Sequence, residues 1–110
     1  MKVNVKQGDI IWLNLDPTIG HEQRGKRPVL IISNNQFNRV CNGLVKVLPI
    51  TTSKNIFPTH IPLPDNLKIH GKVMLQHERS VDILSRGFNH ADRVPEPFLN
   101  RILELVKATY

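Results

Sequence analysis

The chain has 110 residues, the length of one domain, and we predict a single domain over residues 1–110. Its 15 Lys and Arg against 9 Asp and Glu give a net charge of +6, which favours nucleic acid or an acidic protein segment as a partner. One cysteine excludes an internal disulfide and a cysteine-rich zinc site, and no apolar run resembles a signal peptide or a membrane span, so we expect a cytoplasmic protein without membrane association.

The first half of the chain is predicted to form three strands. They are recognised by branched and apolar residues between turn signals, and they cover residues 9–16, 28–33 and 44–51. Between the second and third strands, the segment 33–36 (SNNQ) offers a helix cap, and one turn of helix is predicted over residues 36–40. Pro49 falls near the end of the third strand, where a proline does least damage to a sheet.

The second half is predicted to contain shorter strands and a terminal helix. A polar loop over residues 51–59 precedes the predicted strands 60–63, 72–77 and 79–83. Apolar residues in 95–110 recur at helical spacing, and the prolines are tolerated in the first turn. This pattern of five to seven short strands and one helix predicts a mainly β fold, a small antiparallel barrel with a C-terminal α-helix. Closure into a barrel would remove most exposed sheet edges.

Several ordered motifs resemble one protein family. Residues 8–18 read GDIIWLNLDPT and residues 20–33 read GHEQRGKRPVLIIS. Shorter matches follow at Phe37-Asn38, at LPIT in 48–51 and at RSVD in 79–82. This set resembles the MazF/PemK family of toxin endoribonucleases, and the late strand and terminal helix extend the resemblance over nearly the whole chain.

The resemblance implies a homodimeric, SH3-like barrel that cuts single-stranded RNA without a metal or other cofactor. It also implies a cognate antitoxin protein that holds the toxin inactive, with operator DNA reached only through that antitoxin. In this family an arginine of the E-Q-x-G-x-R-P loop and a threonine of the P-x-T segment are central to cleavage, and they correspond to Arg27 and Thr51. Some members carry arginine and aspartate on a later strand, where this chain departs from the pattern with Met74 and Gln76.

The chemistry of the two matching residues agrees with those roles. Metal-free cleavage uses the 2′-hydroxyl of the RNA as nucleophile, and charge on the phosphoryl oxygens must be stabilised. The planar guanidinium of Arg27 can pair with two of those oxygens, and the hydroxyl of Thr51 can donate to one. The alternatives are a surface arginine, free or paired with Glu22, and a threonine that only fills a strand end.

A proton acceptor is also needed, and the residues leave its identity open. Glu22 and His21 rank equally, ahead of His77, which on the predicted strand would share a face with Val73 and Leu75 and point toward the core. Trp12 is expected in the core or in an interface. The residues expected to contact RNA are basic, hydroxyl-bearing, amide-bearing or aromatic: Gln23, Arg24, Lys26, Thr52, Ser53, Lys54, Phe57, Gln76 and Arg79.

Two alternatives from other functional classes stay open at this point. One is an SH3-like binding module without catalysis. The other is a relative that poisons a protein target, such as the topoisomerase DNA gyrase, through its terminal helix. Arg27 and Thr51 distinguish them from a nuclease, because a pure binder does not need both residues on one cleft.

Overall fold

The computed structural model describes residues 4–14 and 26–110, and all elements below lie in these two ranges. Seven strands are present: β1 (Asp9–Leu13), β2 (Arg27–Ile31), β3 (Leu44–Thr51), β4 (His60–Pro62), β5 (Lys72–Met74), β6 (Arg79–Asp82) and β7 (Phe88–Arg93). The α-helices are α1 (Asn35–Cys41), α2 (Ile83–Arg86) and α3 (Glu96–Lys107), and a 3-10 helix covers Leu75–His77. None of the helices in the two described ranges is long and apolar enough to cross a membrane.

The strands pair antiparallel in the order β4-β5-β3-β2-β1-β7, and β6 pairs with the first half of β3. One edge of β3 is therefore divided between β6, which pairs with Leu44–Val47, and β5, which pairs with Ile50 and Thr51. Pro49 lies between these two pairings, where its missing amide hydrogen costs the sheet least. In the part of the chain that the structure describes, the path of paired strands ends at β4 and β7. The predicted mainly β fold with a C-terminal helix is confirmed.

The β1–β2–β3 sheet carries an apolar cluster on each face, because successive side chains of a strand point to opposite sides. The first cluster joins Ile10, Leu30 and Leu48 to helix α3. The second cluster contains the alternate residues of the same strands and side chains from β6 and α2: Ile11, Leu13, Val29, Ile31, Val45, Val47, Val81 and Ile83. Burial on both faces explains why β2 reads as a continuous apolar run rather than as an alternating one.

Helix α3 confirms the predicted terminal helix. It has a proline in its first turn, where the missing amide hydrogen is harmless, and its buried residues are Phe98, Leu99, Ile102 and Val106. Helix α1 also forms, and its cap is Asn34, a residue of the predicted capping segment, whose side chain accepts from the amide of Phe37. Ser33 is buried instead, and its hydroxyl donates to the side chain of Asn38.

Asp92, on β7, attaches the segment before β5 to the sheet. Its carboxylate accepts hydrogen bonds from the backbone amides of Lys68, Ile69 and Arg93. Partial burial alone would raise the pKa of the Asp92 carboxyl, but these backbone hydrogen bonds and the charge of Lys68 outweigh it and hold the pKa below its usual value. The charged carboxylate therefore stabilises the attachment.

Other sequence predictions need correction. The predicted strand 72–77 ends at Met74 and continues as the 3-10 helix, so His77 is exposed and does not face the core. The predicted strand 79–83 ends at Asp82, whose carboxylate caps α2. Trp12 is 36% exposed, so its assignment to the core was wrong, while an interface role stays a prediction. Strand β7 and helix α2 were not predicted at all.

Candidate active site

Arg27 and Thr51 lie at the ends of neighbouring strands. Strand β2 pairs with β3 from Ile31 opposite Val47 to Val29 opposite Pro49, and Arg27 and Thr51 each lie two residues beyond this last pair. Side chains at every second position of a strand lie on the same face of the sheet. Arg27 lies two positions before Val29 and Thr51 two positions after Pro49, so both residues lie on the face that carries the second cluster. The two side chains thus open onto one face.

Lys72 of β5 lies beside Thr51 on the other edge of β3, where the two residues are pairing partners. Its ammonium donates to the backbone carbonyl of Asn55 at 2.9 Å, which links β5 to the polar loop 52–59. The sequence analysis missed Lys72, because a short strand does not reveal which residue of a distant strand it faces. Arg79 is on the same face as Thr51, since it pairs with Val47 four positions earlier on β3.

The hydroxyl of Thr51 is held by the loop that follows it. It accepts a hydrogen bond from the amide of Ser53 at 3.1 Å, and the hydroxyl of Ser53 accepts one from the amide of Asn55 at 3.1 Å. These local turns fix the hydroxyl oxygen of Thr51 and leave its hydrogen available for donation to an anion.

Gly71 lies directly against the backbone of Thr51. Gly71 has φ +137°, and a Cβ placed there would lie 2.5 Å from the carbonyl oxygen of Thr51. Only glycine allows the chain to approach the end of β3 this closely.

A cavity of about 450 Å³ adjoins Thr51. Three residues predicted to contact RNA line it: Thr52, Ser53 and Lys54. The rest of the lining comes from the β4–β5 region: Pro62, Leu63, Pro64, Asp65, His70, Gly71 and Lys72. The two lysines and the hydroxyl groups suit a polyanion. Asp65 is the acidic residue of this lining.

The polar loop, β4 and the 3-10 helix also contribute a connected group of side chains, those of Phe57, Thr59, His60 and Gln76. Phe57 is 50% exposed, and the centre of its ring lies 5.2 Å from that of the His60 ring. The Gln76 amide hydrogen-bonds both Thr59 and His60. His60 was not among the predicted site residues, since a single histidine in a polar segment carries no distinguishing pattern.

The segment that contains several predicted site residues lies outside the described residues. It includes His21, Glu22, Gln23 and Arg24, so the structure gives no position for the two leading candidates for the proton acceptor. The described residues on either side of this segment are both anchored. The carbonyl of Asn14 accepts from the Arg86 guanidinium at 2.8 Å, and the ammonium of Lys26 donates to the Asn89 side chain at 3.2 Å.

Tyr110 ties the chain terminus to the element that carries Gln76. Its phenol donates a 2.6 Å hydrogen bond to the carboxylate of Glu78, directly after the 3-10 helix. This hydrogen bond, with smaller effects of desolvation and of the Glu78 charge, raises the pKa of Tyr110 above its usual value. In residues 4–14 and 26–110, no three His, Cys, Asp or Glu side chains are grouped so that they could hold a metal ion.

The antiparallel sheet, the terminal helix on one of its faces and the neighbouring Arg27, Thr51 and Lys72 define a small β protein with a basic site. Residues 6–110 match the model of the PemK-like, MazF-like toxin of type II toxin–antitoxin systems, and the chain belongs to this family. The resemblance inferred from the sequence motifs is therefore confirmed.

Individual relatives agree with this assignment. The chain is 38% identical over 106 residues to the endoribonuclease PemK of Escherichia coli, covering 93% of this chain and 79% of that protein. It is 31% identical over 102 residues to the endoribonuclease toxin MazF of E. coli strain K12, covering 92% of this chain and 86% of that protein. Among solved structures, the MazE–MazF complex (Form-II) of Deinococcus radiodurans superposes with a TM-score of 0.87 at 30% identity, covering 98% of this chain and 96% of that chain.

Proposed function

We propose that this chain is a toxin endoribonuclease that cleaves single-stranded RNA by attack of the 2′-hydroxyl on the adjacent phosphodiester, without a metal ion. The products are a 2′,3′-cyclic phosphate and a 5′-hydroxyl end, and cleavage of mRNA inhibits translation and growth. What supports this proposal is the position of Arg27 and Thr51 at adjoining ends of the paired strands β2 and β3, on one face by strand alternation, in a chain whose relatives bear endoribonuclease names.

Arg27 stabilises the phosphorane-like transition state in this mechanism. Its two parallel N–H groups bind the two non-bridging oxygens as negative charge accumulates on them, and the guanidinium keeps its charge at any working pH. Thr51 donates its hydroxyl hydrogen to one of the same oxygens, while the Ser53 amide holds the hydroxyl oxygen in place. Both groups act without forming a covalent bond to the RNA.

Removal of the proton from the 2′-hydroxyl requires a group that neither Arg27 nor Thr51 supplies. Glu22 or His21 accepts the proton of the 2′-hydroxyl in this proposal, and both precede Arg27 closely in the chain. The P–O5′ bond breaks as the 2′-oxygen bonds to phosphorus, and the leaving 5′-oxygen takes a proton from water or from the protonated acceptor, which gives the 5′-hydroxyl end. The RNA strand is held by Gln23, Arg24, Lys26, Arg79 and the polar loop of Thr52, Ser53 and Lys54. Lys72 joins them, because it lies beside Thr51 and lines the same cavity.

The proposal includes two protein partners. One is a cognate antitoxin, supported by the MazE–MazF complex to which this chain is similar; an acidic antitoxin segment is attracted by the net charge of +6. The other is a second copy of the chain. A homodimer should sediment as one species at micromolar concentration, and a stable monomer under those conditions would refute it. We also propose that the protein acts in the cytoplasm, where its mRNA substrate is found.

The decisive experiment incubates the purified protein with a long transcript in excess EDTA and maps both ends of each fragment. Wild type should give 5′-hydroxyl and cyclic phosphate ends. Arg27→Ala should lose about 10²- to 10³-fold in rate, the usual effect of removing a transition-state donor, and Thr51→Val should lose at least about tenfold.

Arg101→Ala is the matched control, because Arg101 is an exposed arginine on α3, the helix that packs against the other face of the sheet. It should cleave as wild type does. Intact RNA with wild type, or equal rates for Arg27→Ala and wild type, would refute the nuclease. Each variant is also expressed in growing cells to measure its toxicity. A loss of toxicity in Arg101→Ala alone would instead favour a protein target bound by the terminal helix.

A further inference from the structure

Departure of the 5′-oxygen is the step for which no protein side chain has yet been named. An alkoxide is a poor leaving group, so cleavage is faster when an acid gives the 5′-oxygen a proton as the P–O5′ bond breaks. Arg27 cannot do this, because a guanidinium does not release its proton at any working pH. The hydroxyl of Thr51 is a weak acid, and in the proposed mechanism it binds a phosphoryl oxygen.

Lys72 carries an ammonium group beside Thr51, and an ammonium can release a proton. The two residues are pairing partners on β5 and β3. Side chains opposite each other in an antiparallel pair share a face of the sheet and lie roughly 5 Å apart at Cβ. That face is turned away from Ile50 and Val73, the adjacent pair, which belong to the first cluster. The Lys72 side chain therefore starts from the same face as the Thr51 hydroxyl.

The backbone brings Lys72 close to Thr51, and the polar loop holds its ammonium. Gly71, next to Lys72 in the chain, approaches the Thr51 carbonyl so closely that only glycine fits there. The ammonium donates to the Asn55 carbonyl at 2.9 Å, and Lys72 lines the cavity that adjoins Thr51. Since an ammonium carries three hydrogens, two more can be donated to a substrate oxygen.

The strand order places Arg27 and Lys72 on opposite sides of Thr51. Strand β2, which begins at Arg27, pairs with one edge of β3, and β5, which begins at Lys72, pairs with the other. The attacking and leaving oxygens of a phosphoryl transfer also lie on opposite sides of phosphorus, roughly in line. A phosphate bound at Thr51 can therefore turn one of these two oxygens toward Lys72. The proposed proton acceptors belong to the connection that leads into β2, which assigns the leaving oxygen to the β5 side.

We propose that Lys72 is the general acid of the cleavage reaction. Its ammonium gives a proton to the 5′-oxygen as the P–O5′ bond breaks, in place of water or the protonated acceptor, and this yields the 5′-hydroxyl end. The neutral amine then regains a proton from solvent, and the protonated acceptor loses one to solvent. This inference rests on the proposed nuclease function and adds a catalytic residue to it.

The test compares two versions of a short RNA that spans one mapped cleavage site, in excess EDTA. One version has the natural bridging 5′-oxygen, and the other has sulfur in its place. A thiol is a much stronger acid than an alcohol, so the thiolate leaves without taking a proton. Lys72→Met should therefore lose about 10²- to 10⁴-fold in kcat on the oxygen substrate and less than about tenfold on the sulfur substrate.

Lys72→Arg distinguishes a general acid from a positive charge that only binds phosphate. It keeps the charge and a donor for the Asn55 carbonyl, but it cannot release a proton. On the oxygen substrate it should be about as slow as Lys72→Met, and sulfur should restore its rate. Lys54→Met is the matched control, because Lys54 is another lysine of the cavity lining. It should weaken cleavage of both substrates by the same factor.

Three results would overturn this inference and leave the nuclease intact. The first is an equal loss on both substrates in Lys72→Met. The second is cleavage of the oxygen substrate by Lys72→Arg at the wild-type rate. The third is a loss that sulfur restores in His70→Ala rather than in Lys72→Met, since His70 lines the same cavity. A wild type that cleaves neither substrate would remove the nuclease and the inference together.

Discussion

Replacing Gly71 with alanine should lower the free energy of unfolding by more than the positive φ at this position alone would cost. A side chain at φ +137° costs about 1–3 kcal/mol. The new Cβ would also lie 2.5 Å from the Thr51 carbonyl oxygen, a backbone atom of β3 that cannot rotate aside. This crowding adds about 1–3 kcal/mol. We therefore expect the free energy of unfolding to fall by about 2–6 kcal/mol in total.

Gly87→Ala is the matched control for this prediction. Gly87 also has a positive φ, +75°, but no heavy atom of the described residues lies within 4 Å of the added Cβ. It should therefore lose only the conformational part, about 1–3 kcal/mol. Urea unfolding monitored by circular dichroism measures both variants, at one fixed protein concentration because dimerisation would make stability depend on concentration.

The same substitution also tests the proposed role of Thr51. A displacement of about 1 Å at a catalytic group can cost about 10²-fold in rate. The folded fraction of Gly71→Ala should therefore cleave RNA far more slowly than Gly87→Ala. If Gly71→Ala were as stable and as active as Gly87→Ala, the close approach of Gly71 to Thr51 would not constrain the site, and our reasoning would be wrong.

Three further predictions concern the core and two titrating contacts. Ile102→Ala, in the fully buried part of α3, should lower the free energy of unfolding by about 2–5 kcal/mol in urea titrations. Asp92 has a lowered pKa when folded, so its contribution is present at neutral pH and is lost as pH falls below about 4; the acid-induced loss of stability should be smaller in Asp92→Asn. Tyr110, the single tyrosine, has a raised pKa, and spectrophotometric titration should show its phenol ionising at lower pH in Glu78→Gln.

Most strands could be predicted because they carry a local apolar pattern. Strand β3 was predicted with its observed bounds, and β2 within two residues at each end, because apolar runs bounded by turns leave few alternatives. Strand β7 could not be found in this way. Its sequence FNHADR is mostly polar and partly exposed, and β7 lies at one end of the pairing path, so no apolar alternation identifies it.

The error at His77 has a similar origin. Residues 72–77 alternate as a strand does, but the chain turns into a 3-10 helix after Met74, which reverses the expected exposure of His77. For the site, the family motifs identified Arg27 and Thr51, whereas Lys72 and His60 were missed. Both depend on β4 and β5 pairing next to β3, and such long-range register is not encoded in any short segment.

The anchored ends beside Arg27 have a consequence for how proteins of this fold can diverge. Leu13 pairs with Arg27, Asn14 is bound by Arg86 and Lys26 is bound by Asn89, so the chain leaves β1 and enters β2 at fixed points. The contacts that hold those two points join described residues of β1, β2, α2 and β7. A lineage that keeps Leu13, Arg86, Asn89 and their contacts therefore keeps Arg27 at the same place on the sheet, whatever groups it exchanges between Asn14 and Lys26.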